Sequence, residues 1–295
     1  MVCQYCVMKQ KEPLVSVIIP VKNAGKFVGA AIQSILDQTY INWEMIVVDD
    51  GSIDETGKIL KRFARKDLRI TVITHKESKG IGASLNLALT KANGKFIARM
   101  DGDDISLPYR LATQVAFLQK NSKIVAVGGQ AEMIDGEGEI FAYKHFPTDA
   151  KTLRNMIMWM VPIQHPVMMV KAEVYKQCRY DESFKTAEDV ELFMQLLKYG
   201  EFGNVPEVVY QYRKADTSNG YHNLKQTFYL TILGRWQGIA KHGYRPTAKG
   251  VVLTLAQLLV VSLLPAKMIV RLYESKRFLW LVSQKLVSKL SQVQK

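Results

Sequence analysis

The sequence is poor in cysteine and contains no apolar run long enough to span a membrane. Its three cysteines are an odd number in 295 residues, so they define no disulfide framework and favour a reducing compartment. Cys3 and Cys6 form a C-x-x-C pair, but the second pair or histidine partners that a zinc site requires are missing. The apolar run at residues 251–264 falls short of the roughly 20 residues that cross a bilayer. These absences argue against a disulfide-bonded secreted protein and against a simple transmembrane helix.

The N-terminus lacks the basic segment and apolar core of a signal peptide. We therefore expect residues 1–13 to form a flexible leader and the protein to be cytoplasmic.

Acidic residues are scarce at the C-terminal end. From Arg235 onward there are eleven basic residues and one acid, Glu274, so this part carries +10 of the net charge of +13. Residues 278–294 have the pattern of a basic amphipathic helix. We expect residues 220–295 to be helical and to bind an anionic membrane surface. The alternative is that these helices pack on the main domain with a solvated lysine face.

A nucleic-acid-binding protein would also carry positive charge. In this chain the charge alternates with apolar runs instead of lying among aromatic residues on one domain face. No nucleic-acid partner is therefore predicted.

Short apolar strands alternate with helical patterns in the first hundred residues. Strands are predicted at 15–20, 44–50, 69–74 and 95–100, and helices at 25–36, 54–65 and 82–92. This alternation predicts a parallel sheet with helices on both faces, which binds ligands beyond the carboxyl ends of its strands. Polar, acidic and glycine residues do follow each strand, at 20–23, 49–52, 79–82 and 101–104. Further elements are predicted as helices at 109–120 and 188–200 and strands at 124–129 and 205–212.

Three aspartates, Asp101, Asp103 and Asp104, follow the fourth strand. The residues that an EF-hand loop needs at its fifth, sixth and twelfth positions are missing. A phosphatase of the haloacid dehalogenase type would place its aspartates after the first strand. Helix capping is a third possibility, but Ser106 is better placed to cap the helix that follows. Asp101 and Asp103 remain candidates to hold Mg²⁺ or Mn²⁺, which bind one or two carboxylates together with substrate phosphate oxygens.

Five segments together resemble the family 2 glycosyltransferases in order and spacing: SVIIPVKN, VVDDGSIDET, KGIGASLNLAL, IARMDGDDISLPYRL and FKTAEDVELFMQLLKYGEFGNVPEVVYQYR. The resemblance covers residues 14–219. It implies the GT-A fold, an α/β architecture with a Rossmann-like, mostly parallel central sheet flanked by helices, followed here by a helical C-terminal extension. Residues 14–104 would form the nucleotide-sugar half and residues 105–219 the acceptor half. The implied activity is an inverting hexosyltransferase of bacterial surface polysaccharide synthesis.

The resemblance implies a role for individual residues. Asp103 and Asp101 would bind Mn²⁺ or Mg²⁺, with Asp104 as support. Asp50 would accept a hydrogen bond from a base N–H, and glycine would allow close backbone approach to the nucleotide. The nucleotide diphosphate sugar, with a UDP-sugar favoured, would contact Pro20, Asn23, Asp50, Lys79, Gly80, Asn86, Asp101 and Arg213.

Asp189 matches the catalytic base of the family, and Glu188 and His165 lie where the acceptor binds. An inverting transfer needs one carboxylate to take a proton from the acceptor hydroxyl. Relatives commonly have a histidine where this chain has Ala215, so the third protein ligand of the metal is open, with His222 or water as substitutes.

The acceptor is expected to be a glycan or a polyprenyl-linked sugar at the cytoplasmic face of the inner membrane. Arg235 and Trp236 match the Q-x-x-R-W element of processive synthases only in part, which favours the addition of one sugar. A sugar nucleotidyltransferase, or another nucleotide-binding protein of the same fold, is the alternative. The nucleotidyltransferase would need a glycine-rich, basic phosphate loop after its first strand, where VKNAGKF offers one glycine.

Overall fold

The computed structural model describes residues 12–214, 224–265 and 268–269. Within these residues nine strands join in one sheet: β1 (Val15–Val21), β2 (Trp43–Asp49), β3 (Ile70–Thr74), β4 (Phe96–Arg99), β5 (Ile105–Ser106), β6 (Ile124–Ile134), β7 (Ile140–Lys144), β8 (Met169–Lys171) and β9 (Glu201–Arg213). The helices are α1 (Val28–Leu36), α2 (Thr56–Lys66), α3 (Ile81–Lys91), α4 (Arg110–Lys120), α5 (Ala150–Met156), α6 (Ala172–Tyr175), α7 (Glu188–Leu196), α8 (Leu224–His242) and α9 (Ala248–Leu263).

The strand order is β3-β2-β1-β4-β8-β6-β9-β5, with β7 paired to β6. The first four strands of this order are parallel, as predicted for the nucleotide-sugar half. Strand β8 reverses the direction, because it runs antiparallel to both β4 and β6. The rest of the sheet is therefore mixed, with β6 and β9 parallel and β5 antiparallel to β9.

Apolar side chains project from both faces of the sheet. Val17 and Ile19 of β1 pack on one face with Ile32 of α1, whereas Ile18 packs on the other with Leu85 of α3. Successive strand residues point to opposite faces, so a strand that is apolar throughout must be covered on both sides. The predicted α/β class with helices on both faces is confirmed.

The predicted elements of the first half agree with the structure to within three residues at most boundaries. The prediction that Ser106 caps a helix is wrong, because Ser106 belongs to β5 and pairs with Tyr210 of β9. Helix α4 begins at Arg110 instead. Helix α7 ends at Leu196, four residues before its predicted end, and β9 starts four residues early, at Glu201.

Two C-terminal helices follow the sheet. Helix α8 packs on α7 so closely that a Cβ at Gly238 would lie 2.4 Å from Met194 Cγ. Helix α9 packs on α8 and on the segment after α5. None of the helices in the described part of the chain has both the length and the apolar character that crossing a bilayer requires. Several predictions concern residues that the structure does not describe: the C-x-x-C pair, the boundary at residue 219, Ala215, His222 and the amphipathic pattern at 278–294.

Candidate active site

The three aspartates form one cluster between β4 and β5. One carboxylate oxygen from each of Asp101, Asp103 and Asp104 lies within 4.8 Å of the others. Asp104 is buried; its Oδ1 accepts a hydrogen bond from the Arg213 N–H at 2.7 Å, and its Oδ2 has no hydrogen-bond partner among the described residues. Burial and the neighbouring Asp101 raise the pKa of Asp103 to about 6 and that of Asp104 well above its ordinary value.

A glycine lets this loop approach the sheet. A Cβ at Gly102 would lie 2.4 Å from Cγ1 of Val21, so a side chain at this position would force the cluster away from β1.

This donor set fits a divalent cation. Hard oxygen ligands, a buried carboxylate oxygen without a partner and raised pKa values indicate a cluster with more negative charge than its protein neighbours balance. Asp103 and Asp101 stay the predicted ligands of Mg²⁺ or Mn²⁺, and Asp104, whose Oδ1 accepts from the Arg213 N–H while its Oδ2 is unpartnered among the described residues, lies within reach of the same ion.

Arg99 is a buried cation beside the cluster. Its Nη2 lies 2.7 Å from Asp101 Oδ1, whereas its Nε and Nη1 have no hydrogen-bond partner among the described residues. Burial alone would lower the pKa of Arg99, but Asp101 and nearby acidic groups, Glu188 included, raise it above the ordinary value. Arg99 therefore stays charged.

The second acidic group lies at the start of α7, where Ala187 has a left-handed backbone (φ 61°). Burial, and then the neighbouring Asp189, raise the pKa of Glu188 to about 7. Burial also raises the pKa of Asp189, while Arg99 and Arg235 oppose that shift. The two carboxyl groups thus retain protons more readily than surface acids do.

His165 contacts Glu188 of this acidic pair. Its Nδ1 lies 3.6 Å from Glu188 Oε1, and its Nε2 lies 2.7 Å from the Tyr180 hydroxyl. Burial, with a contribution from Arg99, lowers the pKa of His165 well below its ordinary value, so the imidazole is neutral. The structure therefore brings together the three residues predicted for the acceptor side, although their roles stay predictions.

Asp50 lies at the end of β2 and holds the segment before α3. Its carboxylate accepts hydrogen bonds from the Lys79 N–H at 2.7 Å and the Gly80 N–H at 3.0 Å. It also bonds Ser78 Oγ at 2.6 Å and lies 3.0 Å from His75 Nδ1. Burial would raise the pKa of Asp50, but these hydrogen bonds lower it below its ordinary value. An N–H group of a nucleobase would therefore have to share one of the two Asp50 carboxylate oxygens with the protein groups already bonded to it.

Other predicted nucleotide-sugar residues hold the backbone in place. Asn23 (φ 50°) accepts from the Ile53 N–H at 3.0 Å and so joins the loops after β1 and β2. Pro20 is buried within β1, paired with Val48. Their predicted contacts with a nucleotide remain untested.

Asn86 and Arg213 connect distant segments. Asn86 exchanges two hydrogen bonds with the backbone of Tyr180, each 3.0 Å long. The Arg213 guanidinium donates to the carbonyls of Asp103, at 2.8 Å, and Asp135, at 2.6 Å. In the structure Arg213 therefore fixes the aspartate loop, and the prediction that it contacts the nucleotide sugar stays a prediction.

Two arginines of the site were not among the predicted site residues. Arg99 could have been noticed as a charged residue inside an apolar strand directly before the aspartates. Arg235 of α8 is buried, donates to the Ile157 carbonyl and to Gln257 Oε1 at 2.9 Å each, and lies close enough to Asp189 to affect its pKa. No local pattern in the sequence connects Arg235 to Asp189.

The chain is similar to known proteins in sequence and in fold. The O-antigen biosynthesis glycosyltransferase WbnJ of Escherichia coli is 33% identical over 205 residues, which cover 68% of this chain and 79% of that protein. Among solved structures, S. aureus TarS 1–349 in complex with UDP-GlcNAc has a TM-score of 0.60 at 22% identity, over 75% of this chain and 66% of that one. The mannosyltransferase PcManGT from Pyrobaculum calidifontis, in complex with GDP-Man and Mn²⁺, has a TM-score of 0.58 at 19% identity, over 91% of this chain and 81% of that one.

These likenesses confirm the predicted GT-A fold. The model of the family described as Glycosyl transferase family 2 matches residues 16–178, more than half of the sequence. The chain belongs to glycosyltransferase family 2.

Proposed function

We propose that this glycosyltransferase moves one sugar, with inversion, from a nucleotide diphosphate sugar to a glycan or lipid-linked acceptor in surface polysaccharide synthesis. One observation carries the proposal: a cluster of three aspartates and a buried acidic pair both lie close to one charged residue, Arg99. The O-antigen role of WbnJ supports a surface polysaccharide as product. The UDP-GlcNAc bound to TarS supports a UDP-sugar as donor.

The donor would lie against the aspartate cluster. Asp103 and Asp101 would hold Mn²⁺ or Mg²⁺, which supplies positive charge to the diphosphate as it leaves. The Mn²⁺ in the complex of PcManGT supports this cofactor. Lys79 and Gly80, whose N–H groups donate to Asp50, would close over the nucleotide. No atom lies within 4 Å of where a Cβ of Gly80 would be, so the backbone at this site is open to a ligand.

The acceptor would bind at the start of α7. Asp189 would take the proton of the acceptor hydroxyl while its oxygen forms a bond to the anomeric carbon and the bond from that carbon to the diphosphate breaks. A carboxylate with a raised pKa is a stronger base once it is ionised, which suits this role. Glu188 and the neutral His165 would orient the hydroxyl.

Two substitutions separate the donor and acceptor roles. UDP-sugars are screened for Mn²⁺-dependent release of UDP, and UDP binding with Mn²⁺ is followed by thermal shift. Asp103→Asn should reduce turnover at least about a hundredfold and abolish the Mn²⁺-dependent binding. Asp189→Asn should reduce sugar transfer by a factor of roughly 10²–10⁴ and leave that binding intact.

Asp37→Asn, at the end of α1 and distant in sequence from both groups, serves as the control and should behave as wild type. Unchanged turnover in Asp103→Asn would refute the metal assignment. Full transfer by Asp189→Asn would remove Asp189 as the base.

A further inference from the structure

Helix α9 has polar contacts on its protein side. Thr254 Oγ1 donates to the Met158 carbonyl, and Gln257 Nε2 donates to the Trp159 carbonyl at 2.8 Å. Gly250 on the same stripe is buried against Met158. Thr254 and Gln257 thus attach this helix to the protein.

The outer face of α9 is apolar. Four large side chains point to solvent, with exposed fractions of 63% for Val252, 58% for Leu255, 60% for Leu259 and 71% for Leu263. A surface helix of a water-soluble domain normally has the reverse arrangement. The helix therefore leaves its apolar face without a partner among the described residues, which indicates an interaction surface.

Helix α8 exposes a similar stripe. Its outward residues include Tyr229, Leu233 and Trp236, spaced four and three positions apart, and Trp236 is 66% exposed. Its inward residues Gly234 and Gly238 pack against α7. The buried residues of the two consecutive helices are thus mostly glycines, with Arg235 and Val261, whereas most of their large exposed residues are apolar.

The charge around these helices is of one sign. Lys241, Arg245 and Lys249 are exposed at the end of α8 and the start of α9. From Arg235 to Val270 the sequence contains no acidic residue. An apolar surface with a basic border has the composition of a surface that binds anionic lipid.

We infer that the outer face of α9, flanked by these basic residues, docks the protein on an anionic bilayer. The sixteen residues of α9 extend about 24 Å, less than the roughly 30 Å of a hydrocarbon core, so the helix lies in the interface and does not cross it.

Two other occupants are disfavoured by charge. A second copy of the chain, related by a two-fold axis, would bring the same basic residues face to face. Residues 270–295 have an apolar pattern that suits this face, but they contain six basic residues and one acid, so their charge also opposes docking on it. Anionic lipid complements both the described surface and this C-terminal segment.

Arg235 lies between the helix of this surface and the acidic pair. Gln257 of α9 accepts a hydrogen bond from Arg235 at 2.9 Å, and Arg235 lies close enough to Asp189 to affect its pKa. A membrane bound at α9 would thus lie beside the helix pair that carries the proposed base. This consequence rests on the proposed function, whereas docking itself does not.

Vesicle co-sedimentation of the full chain tests the docking. Vesicles of phosphatidylglycerol and phosphatidylcholine are compared with vesicles of phosphatidylcholine alone, without any nucleotide sugar. Leu255→Glu/Leu259→Glu should weaken binding to the anionic vesicles at least about tenfold. Leu255→Met/Leu259→Met should bind as wild type because it keeps the apolar face.

The matched control, Ile41→Glu/Leu68→Glu, adds the same charge at two equally exposed apolar positions of the nucleotide-sugar half (71% and 97% exposed) and should bind normally. Leu263→Glu alone, at the end of α9, should also weaken vesicle binding. This single variant tests the same surface if the double variant does not fold. Unchanged vesicle binding in both α9 variants would overturn the inference. A change of oligomeric state in light scattering, with vesicle binding retained, would instead identify a second copy as the occupant and overturn it too.

The vesicle assay contains no nucleotide sugar. A result that overturns the docking inference therefore leaves the proposed glycosyl transfer unaffected. Hydrolysis of a UDP-sugar in solution should be the same in the α9 variants as in wild type.

Discussion

Arg99 is buried among acidic side chains from both parts of the site. Its burial determines how much stability the protein loses when Arg99 is replaced. Asp101 is bonded to it directly, and Glu188 contributes to holding it charged. Breaking a buried ion pair costs several kcal/mol, and here the half-buried Asp101 and the buried Glu188 would both lose their counter-ion.

We predict that Arg99→Met lowers the free energy of unfolding by about 3–5 kcal/mol and reduces sugar transfer. Arg99→Lys should lose less stability, because it keeps the positive charge. It should still be less stable than wild type, because lysine lacks the planar guanidinium group. Urea unfolding measures the first effect and UDP release the second. The control is Arg69→Met, which removes a surface arginine 2.7 Å from Asp67 and should cost about 1 kcal/mol. Equal losses in the two methionine variants would contradict a special role for Arg99.

Glu188 makes stability depend on pH in an unusual direction. Its pKa of about 7 in the folded protein is above the model-peptide value of 4.5, so the native state binds this proton more tightly than the unfolded chain does. The free energy of unfolding therefore falls as the pH rises from about 4.5 to about 7, by as much as about 3 kcal/mol for this group.

Glu188→Gln cannot ionise, so it should flatten this fall and be more stable than wild type near pH 8. Urea unfolding at about pH 5 and about pH 8 checks the prediction. Glu173→Gln, on the exposed side of α6, should leave the wild-type slope unchanged. A slope in Glu188→Gln as steep as that of wild type would show that other carboxyl groups cause it.

Between elements, the contact of α7 with α8 depends on glycine. A Cβ at Gly238 would meet Cγ, Sδ and Cβ of Met194 at 2.4, 2.6 and 2.7 Å, so the whole buried side chain would have to move. Because α7 begins with Glu188 and Asp189, a shift of this contact would also move the acidic pair.

We therefore predict that Gly238→Ala destabilises the protein by about 1–3 kcal/mol, although alanine is the better helix former. Gly29→Ala is the matched control: it lies in α1 and its new Cβ would have its nearest neighbours at 3.9 Å, so it should be neutral or stabilise by up to about 1 kcal/mol. Thermal and urea unfolding of both variants measure the difference. A stabilised Gly238→Ala would mean that the two helices are free to separate.

The elements that the sequence predicts well are those with a strong period of their own. The strands β1 to β4 and helices α1 to α4 each carry a continuous apolar run or stripe, which local patterns reveal. The sequence does not predict β5 and β8, because two or three residues are too few for a period. Strand β7 is as long as β3 but mostly exposed, and the position of all three strands is set by their pairing with β9, β6 and β4.

The same distinction applies to the site. Asp101, Asp103 and Asp189 are marked by motif spacing, and their roles stay predictions. Arg235 could not be predicted, because its approach to Asp189 results from the packing of α8 on α7, a contact between segments that no local pattern relates.

At the scale of the whole molecule, two groups of exposed basic residues can be compared within the described part of the chain. One is in the C-terminal part, and the other is on the outer face of α2, where Lys61, Arg62 and Lys66 are exposed. If the protein bound lipid through its charge alone, either group could turn towards the headgroups, so both groups would contribute to a similar extent. If the apolar face of α9 docks, only charges beside it approach the lipid headgroups.

We predict that Lys241→Gln/Arg245→Gln/Lys249→Gln weakens binding to anionic vesicles at low salt by at least about tenfold, because each basic residue near the surface contributes about 1 kcal/mol. Lys61→Gln/Arg62→Gln/Lys66→Gln removes the same charge and should change binding little. Both variants should hydrolyse a UDP-sugar at the wild-type rate, since none of the six residues lies in the proposed site. Co-sedimentation at two salt concentrations measures the effect, and the difference between the variants should shrink at high salt as the charges are screened. Equal weakening in the two variants would mean that the protein binds lipid through its overall charge, without a defined face.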